Sequence, residues 1–195
     1  MRRQEEKYFL NQEELSLLLA DFGAFPTYPI RQINSIYFDT ADYKNFSDSE
    51  EGVVPRRKNR FRWYGDQYEI PKSGTLEIKI TNDHFRKKEI AQFSYHSRLE
   101  LVSCFQGGSY GNLIPVCQVS YHRAYYENLA GLRFTFDFDV CARLFNAGEF
   151  QKIQKTILEI KYSSDKGLSD FASLLGDRKT RFSKYNEAVE KLIQV

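Results

Sequence analysis

Apolar and polar residues alternate with a period of two in many short stretches of this sequence, which is the pattern of a β-strand with two different faces. Residues 133–140 are the clearest example, because four apolar side chains alternate there with arginine, threonine and two aspartates. Phe, Tyr and Trp make up 15% of the chain, and aromatic residues favour strands. The alternation predicts six strands at roughly 3–10, 32–39, 56–64, 75–80, 116–128 and 132–141, with 86–93 and 155–162 as a seventh and an eighth.

Four helices are predicted between and after these strands. The first covers 12–22, where Asn11 is the N-cap and Glu14 completes a capping box ahead of a leucine-rich stripe. The others are predicted at about 97–106, 167–175 and 184–194. Short turn signals separate the elements, and no long linker or low-complexity segment divides the chain. The prediction is therefore one α+β domain over residues 1–195, built on an antiparallel sheet.

Composition argues against several classes of protein. No stretch approaches the ~18 uninterrupted apolar residues of a membrane-spanning helix, and no signal-peptide core follows the charged N-terminus. The three cysteines are far apart with no CxxC pair, which argues against a zinc cluster or a disulfide scaffold. The 28 basic and 26 acidic residues nearly balance, so the net charge gives no indication of a nucleic-acid partner. A reducing, cytoplasmic location without a membrane segment is predicted.

The polar faces of several predicted strands carry dense charge. Four cations share one face of strand 56–63, namely Arg56, Lys58, Arg60 and Arg62. The tripeptide Glu-x-Lys occurs on three strands, at Glu5/Lys7, Glu77/Lys79 and Glu159/Lys161. For any single strand, a solvated sheet face is the ordinary explanation. If the sheet closes into a barrel with the helices outside, these faces line the lumen. A wet, basic lumen with a few carboxylates suits a polyphosphate chain and its divalent metal.

Eight motifs occur in an order that is similar to one known family. They are Arg3-Gln4-Glu5-Glu6-Lys7-Tyr8, Ser35-Ile36-Tyr37-Phe38-Asp39-Thr40, Arg60-Phe61-Arg62-Trp63-Tyr64-Gly65, Leu76-Glu77-Ile78-Lys79, Tyr121-His122-Arg123, Arg133-Phe134-Thr135-Phe136-Asp137, Leu158-Glu159-Ile160-Lys161-Tyr162 and Phe182-Ser183-Lys184-Tyr185. Any one motif is weak, but the order is specific. The chain resembles the VTC (vacuolar transporter chaperone) domain, a polyphosphate polymerase domain of the CYTH-like triphosphate tunnel metalloenzyme superfamily. The resemblance runs from about residue 3 to about residue 190.

The resemblance implies a fold, an activity and a set of site residues. The fold is an eight-stranded antiparallel β-barrel, or tunnel, with helices packed on the outside. The activity is transfer of the γ-phosphoryl group of ATP to a growing polyphosphate chain, with Mn²⁺ or Mg²⁺ as cofactor and ATP and inorganic polyphosphate or triphosphate as ligands. The residues that the motifs carry over for phosphate binding are Lys7, Arg60, Arg62, Lys79, Arg123, Arg133 and Lys184, with Lys87 or Lys88 and Lys161 as additions. The implied metal ligand is Glu159, and the implied catalytic group is Lys7, Arg60, Arg62 and Glu159.

Two alternatives stay open beside the polymerase. One is a triphosphate or tripolyphosphate hydrolase of the CYTH type, and the other is a non-catalytic polyanion-binding module. Hydrolytic relatives carry Glu-x-Glu-x-Lys on the first strand, whereas this chain has Arg3 at the first of those positions, which favours the polymerase. A terminal phosphate is already ionised near neutral pH, so no Ser/His/Asp relay is required, and none is visible among the three histidines.

Several other charged residues have two explanations each. Four carboxylates are predicted either to assist the metal or to pair with arginine: Asp137, Asp139, Glu5 and Glu77. The two aspartates are predicted to face the lumen together. Asp39 is better explained as a turn cap than as a catalytic residue. His122 is predicted to face away from the lumen, because it alternates with Arg123.

Overall fold

The structure is a computed structural model that describes residues 4–83, 85–106, 111–162 and 174–193. Within these residues it has an α+β fold with a nine-stranded, mostly antiparallel sheet and four α-helices, which confirms the predicted class. The strands are β1 (Gln4–Phe9), β2 (Phe25–Asp39), β3 (Arg56–Tyr64), β4 (Ser73–Thr81), β5 (Arg86–Ser94), β6 (Ile114–Glu127), β7 (Arg133–Leu144), β8 (Gln151–Lys152) and β9 (Ile157–Tyr162). The helices are α1 (Gln12–Asp21), α2 (Lys44–Glu50), α3 (Arg98–Val102) and α4 (Lys184–Ile193), with a 3-10 helix at Gly176–Arg178. None of these helices has the length and apolarity needed to cross a membrane.

The strands follow the order β1-β9-β7-β6-β2-β3-β4-β5, with β8 paired to β7 outside this path. Among the described residues no pairing joins β1 to β5, so the sheet is open, and the predicted closed eight-stranded barrel is wrong in that respect. The outer edge of β1 is occupied instead, because Tyr8 bridges to Lys179 and the Thr180 amide donates to the Lys7 carbonyl over 2.8 Å. At the other end, β5 is an exposed strand rich in charge, which is typical of a sheet edge.

Four elements differ clearly from the sequence prediction. β2 begins at Phe25, well before the predicted residue 32. Pro26 and Pro29 indicate a strand break in the sequence, but the strand accommodates both prolines in an exposed stretch. The short strand β8 and the helix α2 are not predicted at all, and α3 is shorter than the predicted 97–106. Most of the helix predicted at 167–175 lies outside the described residues.

The helix α2 begins at a buried carboxylate on the last residue of β2. Asp39 accepts hydrogen bonds from the amides of Asn45 (2.8 Å) and Phe46 (3.0 Å), which are orphan donors at the start of the helix. It also accepts from the Tyr185 hydroxyl on α4 over 2.5 Å. Burial and the Asp39 charge raise the pKa of that hydroxyl, which stays protonated as a donor. Asp39 is thus a capping residue, but it caps a helix where the sequence predicted the cap of a turn, and it ties two helices to the strand.

Contacts divide the described residues into two compact units. The first unit comprises those within 1–31, 121–140 and 154–182, and the second those within 32–120, 141–153 and 183–195. Buried side chains in the core of the first unit include Tyr8, Leu15, Phe134, Phe136, Leu158 and Ile160. Those in the core of the second include Ile36, Phe38, Phe61, Trp63, Tyr95 and Leu101. The single domain over residues 1–195 stays a prediction.

Candidate functional site

The first unit contains a set of charged side chains that we call the Glu159 cluster: Glu159, Lys161, Lys7, Arg123 and Asp137. Glu159 lies on β9 directly opposite Lys7 of β1 and Thr135 of β7. The Lys161 ammonium is 2.5 Å from the Glu159 carboxylate. The alternation of β9 explains this placement. The two apolar residues that flank Glu159 belong to the core, so the charged pair takes the opposite face.

Glu159 is ionised although it is only 7% exposed. Burial acts to raise the pKa of its carboxyl group, but the positive charges of Lys161, Arg123 and Lys7 outweigh burial and hold that pKa well below its ordinary value. The carboxylate therefore remains a hard, anionic oxygen donor throughout the neutral pH range, as a divalent metal requires.

Arg123 and Asp137 form a two-point ion pair. The Arg123 Nε and Nη2 atoms lie 2.5 and 2.7 Å from the two Asp137 carboxylate oxygens, and Asp137 is fully buried. Asp139 instead lies 3.6 Å from Nδ1 of His122, which alternates with Arg123 along β6. The prediction that Asp137 and Asp139 share a face is wrong, because the left-handed backbone at Asp139 (φ 50°) interrupts the alternation. His122 faces away from Arg123, as predicted.

The other site residues predicted for this unit differ in their partners and in their exposure to solvent. The Lys7 ammonium donates to the Phe182 carbonyl over 3.0 Å and lies 3.9 Å from the Glu5 carboxylate. Arg133 lies opposite Lys161 in the sheet, but its side chain is 55% exposed and its Nε is 3.7 Å from Glu127. The structure therefore gathers Lys7, Lys161 and Arg123 around Glu159, whereas it directs Arg133 toward the strand end.

The second unit contains a comparable set, the Glu77 cluster: Glu77, Arg60, Arg62 and Lys88. Arg60 Nε donates to one Glu77 oxygen over 2.6 Å, and Lys88 donates to the other oxygen over 2.6 Å. Arg62 Nη1 is 3.5 Å from the first oxygen. Burial acts to raise the pKa of Glu77, but Arg60, Arg62 and Lys88 lower it to about 2. Of its two predicted explanations, Glu77 thus takes the pairing with arginine.

Three lysines lie directly opposite one another on adjacent strands, and we call them the lysine row: Lys58 of β3, Lys79 of β4 and Lys88 of β5. This pairing fixes the register that the sequence left open, because Lys88 shares a face with Lys79. Lys87 lies opposite Ile80 and is 2.9 Å from Glu89 on the other face. Like charges directly opposite one another destabilise a sheet. The lysine row therefore places three positive charges side by side on one face of the sheet.

The helix α4 provides oxygen acceptors for one end of the lysine row. Lys58 donates to the Ser183 hydroxyl over 2.6 Å and to the Asn186 side-chain oxygen over 3.1 Å. Lys184, a predicted phosphate ligand, is the first residue of α4 and follows Ser183 in the chain. Sequence reasoning did not select Lys58 as a site residue, although its place between Arg56 and Arg60 on one strand face was the available signal.

The carboxylates suit a metal that arrives with phosphate better than one held by protein alone. Among the described residues there is no group of three or more His, Cys, Asp and Glu side chains that could hold a metal ion. Arg123 holds both carboxylate oxygens of Asp137, whereas Lys161 holds one oxygen of Glu159, so Glu159 is the better oxygen donor for a metal in the Glu159 cluster. Mg²⁺ is often bound by one or two carboxylates together with substrate phosphates and water. The donor set therefore fits a divalent ion shared between Glu159 and a bound phosphate chain.

Comparisons with known proteins agree with this fold. The family profile of the VTC domain matches residues 2–106 and 108–193. A comparison with curated proteins gave no match. One similar solved structure is PH1819 from Pyrococcus horikoshii OT3, with a TM-score of 0.59 and 16% identity over 97% of this chain and 99% of that one. Another is an adenylate cyclase candidate from Bacillus halodurans, with a TM-score of 0.58 and 14% identity over 94% and 96%.

A third similar structure is HpAC1 from Hippeastrum, an adenylyl cyclase candidate described as having a dominant triphosphatase activity. Its TM-score is 0.55 and its identity 13%, over 98% of this chain and 97% of that one. At these identities the structural similarity establishes the fold alone. The family profile covers nearly the whole sequence and confirms the resemblance seen in the motifs. This chain belongs to the VTC domain family.

Proposed function

We propose that this protein is a divalent-metal-dependent polyphosphate polymerase, which transfers the γ-phosphoryl group of ATP to a growing polyphosphate chain. The observation that carries the proposal is the lysine row, together with Arg60 and Arg62 on the same face of β3. These cations outnumber the Glu77 carboxylate on that face. A polyanion gains favourable electrostatic contacts on such a surface, which a neutral ligand cannot do.

The reaction requires positioning more than covalent help from the protein. A terminal oxygen of the polyphosphate attacks the γ-phosphorus, the bond from that phosphorus to the β–γ bridging oxygen breaks, and ADP leaves with the electron pair. The attacking oxygen is already ionised, so no general base is needed. What the site must provide is alignment of the reactants and positive charge near the equatorial oxygens.

Arginine and lysine contribute differently to that task. The guanidinium groups of Arg60 and Arg62 bind phosphate oxygens at two points, whereas the lysine row supplies point charges. We extend the phosphate-binding role to the cations of the first unit and of α4: Lys7, Arg123, Arg133, Lys161 and Lys184. Glu159 would hold the divalent metal, which supplies further charge neutralisation when bound. On the β5 strand we retain Lys88 and not Lys87.

A triphosphate hydrolase is the second candidate, and the likeness to the Hippeastrum protein with triphosphatase activity favours it. The same cations serve both reactions, because the hydrolase differs only in using water as the acceptor. Arg3, which favours the polymerase in the sequence pattern, lies outside the described residues. Analysis of the products therefore separates the two functions.

The test is to incubate the purified chain with ATP and Mn²⁺, separate the products on a gel stained for polyphosphate, and assay free phosphate. We expect a ladder of long chains. Free phosphate from ATP or tripolyphosphate without polymer would establish the hydrolase. Tight tripolyphosphate binding with neither product would leave a non-catalytic binding module.

A matched pair of variants tests whether the lysine row is the binding surface. Lys58→Ala and Arg57→Ala change adjacent residues of β3 and each removes one positive charge, but only Lys58 belongs to the row. We expect Lys58→Ala to weaken tripolyphosphate binding about 10-fold, as expected for one charged hydrogen bond. Arg57→Ala is expected to leave the affinity within about twofold, because Arg57 lies opposite Ile80 and alternates with Lys58, which places it on the other face of the strand. Equal losses measured by calorimetry would show that this face is not the binding surface.

A further inference from the structure

Glu77 is buried among the cations that the proposed function assigns to phosphate, which calls for an explanation. A carboxylate at a phosphate site repels the substrate, so the affinity for a polyanion would be higher without it. Its two oxygens are divided between different partners. One accepts from Arg60 over 2.6 Å and lies 3.5 Å from Arg62, and the other accepts from Lys88 over 2.6 Å. From its place on β4, Glu77 therefore connects side chains of both neighbouring strands, β3 and β5.

Hydroxyl groups of β2 hold the two arginines from a second direction. Arg60 Nη1 donates to the Tyr37 hydroxyl over 3.1 Å, and Arg62 Nε donates to the Ser35 hydroxyl over 3.4 Å. Arg62 is only 8% exposed. Arginine and lysine side chains each carry about 2 kcal/mol of rotamer entropy. Side chains that are fixed before substrate arrives do not incur that loss on binding and present a constant geometry for the reaction.

We propose that Glu77 is a positioning residue, whose carboxylate holds Arg60, Arg62 and Lys88 in one fixed arrangement against which the phosphate groups align. This inference rests on the proposed function of the same face. Glu77 acts through the cations and does not itself touch the substrate. Its pKa of about 2 keeps it ionised at neutral pH, so proton transfer is not its role.

Two substitutions separate positioning from simple neutralisation of charge. Glu77→Gln keeps the size of the side chain and one acceptor oxygen but removes the negative charge. Glu77→Asp keeps the charge and draws the carboxylate back by one methylene group, so that it no longer reaches Arg60 and Lys88 together. If the charge alone mattered, the aspartate would replace the glutamate. If position matters, both variants lose activity.

The experiment uses the full chain and three measurements: the Kd for tripolyphosphate by calorimetry, kcat with ATP and Mn²⁺, and the thermal unfolding curve. We expect both Glu77 variants to lose about 30-fold or more in kcat, because a misplacement near 1 Å costs up to ~100-fold. Their Kd is expected to stay within about threefold of wild type, since the cations remain. The matched control is Glu89→Gln, which makes the same change in charge on the other face of β5. We expect it to leave both constants unchanged.

Each outcome decides the proposal. Wild-type kcat in Glu77→Gln overturns it, and wild-type kcat in Glu77→Asp overturns it also, because charge would then suffice. If Glu77→Gln does not fold, Glu77→Asp decides alone. If wild type binds tripolyphosphate without turnover, the polymerase fails separately, and the test becomes the entropy of tripolyphosphate binding from the same calorimetry. That entropy is expected to be less favourable in Glu77→Asp than in wild type, because side chains that are no longer held lose rotamer freedom on binding, and an unchanged entropy overturns the inference. A wild-type chain that does not bind tripolyphosphate overturns both.

Discussion

The tetrapeptide Leu-Glu-Ile-Lys occurs twice, at 76–79 on β4 and at 158–161 on β9, and its two copies lie in different electrostatic surroundings. In both copies the apolar residues contact a hydrophobic core and the glutamate is almost buried, at 5% exposure for Glu77 and 7% for Glu159. The lysines differ. Lys161 is 2.5 Å from its own Glu159, whereas Lys79 is the middle member of the lysine row.

The difference comes from the neighbouring strands. Lys161 lies opposite Glu5 and Arg133, whereas Lys79 lies opposite two other lysines. The tetrapeptide thus sets the face that each side chain takes, and the adjacent strands set the charge around it. As a result, the Glu159 cluster combines carboxylates with cations and suits a metal-bound phosphate. The surface around Glu77 is strongly positive and suits phosphate itself.

The largest effect is expected from Glu159→Ala, which removes the carboxylate of β9. Lys161, Lys7 and Arg123 would then lose the anion that they surround. We expect Mn²⁺-dependent turnover to fall by about 10³-fold, because charge stabilisation by a bound metal contributes several kcal/mol to the rate. The free energy of unfolding is expected to fall by about 3–5 kcal/mol, as for a broken buried ion pair. Turnover is measured across a Mn²⁺ titration and stability by urea denaturation.

The control for that variant is Glu13→Gln, which changes an exposed acid on α1. It is expected to keep wild-type turnover and stability. Wild-type turnover with Mn²⁺ in Glu159→Ala would show that Glu159 is not the metal ligand.

The next effect concerns the arginines of the Glu77 cluster. Replacing Arg60 and Arg62 together by alanine is expected to weaken tripolyphosphate binding by about 100-fold or more, at roughly 1.5–3 kcal/mol for each charged hydrogen bond. The double variant Arg57→Ala with Arg98→Ala makes the same change in charge away from this face and serves as the control. Unchanged affinity in the Arg60/Arg62 variant, measured by calorimetry, would show that these two arginines of β3 do not bind phosphate.

A pair of smaller effects is expected to differ in sign between the two copies of the tetrapeptide. Lys79→Gln relieves repulsion in the lysine row, so we expect the free energy of unfolding to rise by about 0.2–1 kcal/mol. Lys161→Gln removes the closest cation from buried Glu159, so we expect it to fall by about 1–3 kcal/mol. Both values come from urea denaturation at one pH and salt concentration. Shifts in the same direction would contradict the comparison.

A further effect is expected in acid. The pKa of Glu77 is lowered from its ordinary 4.5 to about 2 in the folded chain. A lowered pKa means that the ionised carboxylate stabilises the fold above about pH 4.5 and that this contribution is lost as the pH falls toward 2. We therefore expect Glu77→Gln to flatten the decline of stability over this interval. Equal slopes for wild type and variant in denaturation series would contradict the ion pairing at Glu77.

Features that depend on neighbouring residues in the chain were predictable. Strand β3 was predicted at 56–64 and occupies Arg56–Tyr64, because the alternation of its side chains is local. The capping box of α1 forms as predicted between Asn11 and Glu14, at 2.9 and 2.8 Å. The charged faces of both tetrapeptides also followed from the alternation, so most residues of the two clusters were identified from the sequence.

Features that depend on register or on distant partners were not predictable. The choice between Lys87 and Lys88 depends on the β4–β5 connection, where the Asn82 amide donates to the Phe85 carbonyl over 2.9 Å, and no residue there signals the alignment. The change of face at Asp139 depends on one left-handed residue in an otherwise regular strand. The central position of Glu77 needed the pairing of three strands, which one sequence does not contain.

The capping of α2 by Asp39 has a consequence for how this chain can vary. The helix needs no strong sequence pattern, because two of its amides bond to a carboxylate on β2 that precedes it by several residues. Exposed positions of α2 are therefore open to substitution. A substitution at Asp39 is different. It would release α2 and, through Tyr185, also α4, whose first turn carries the acceptors of Lys58.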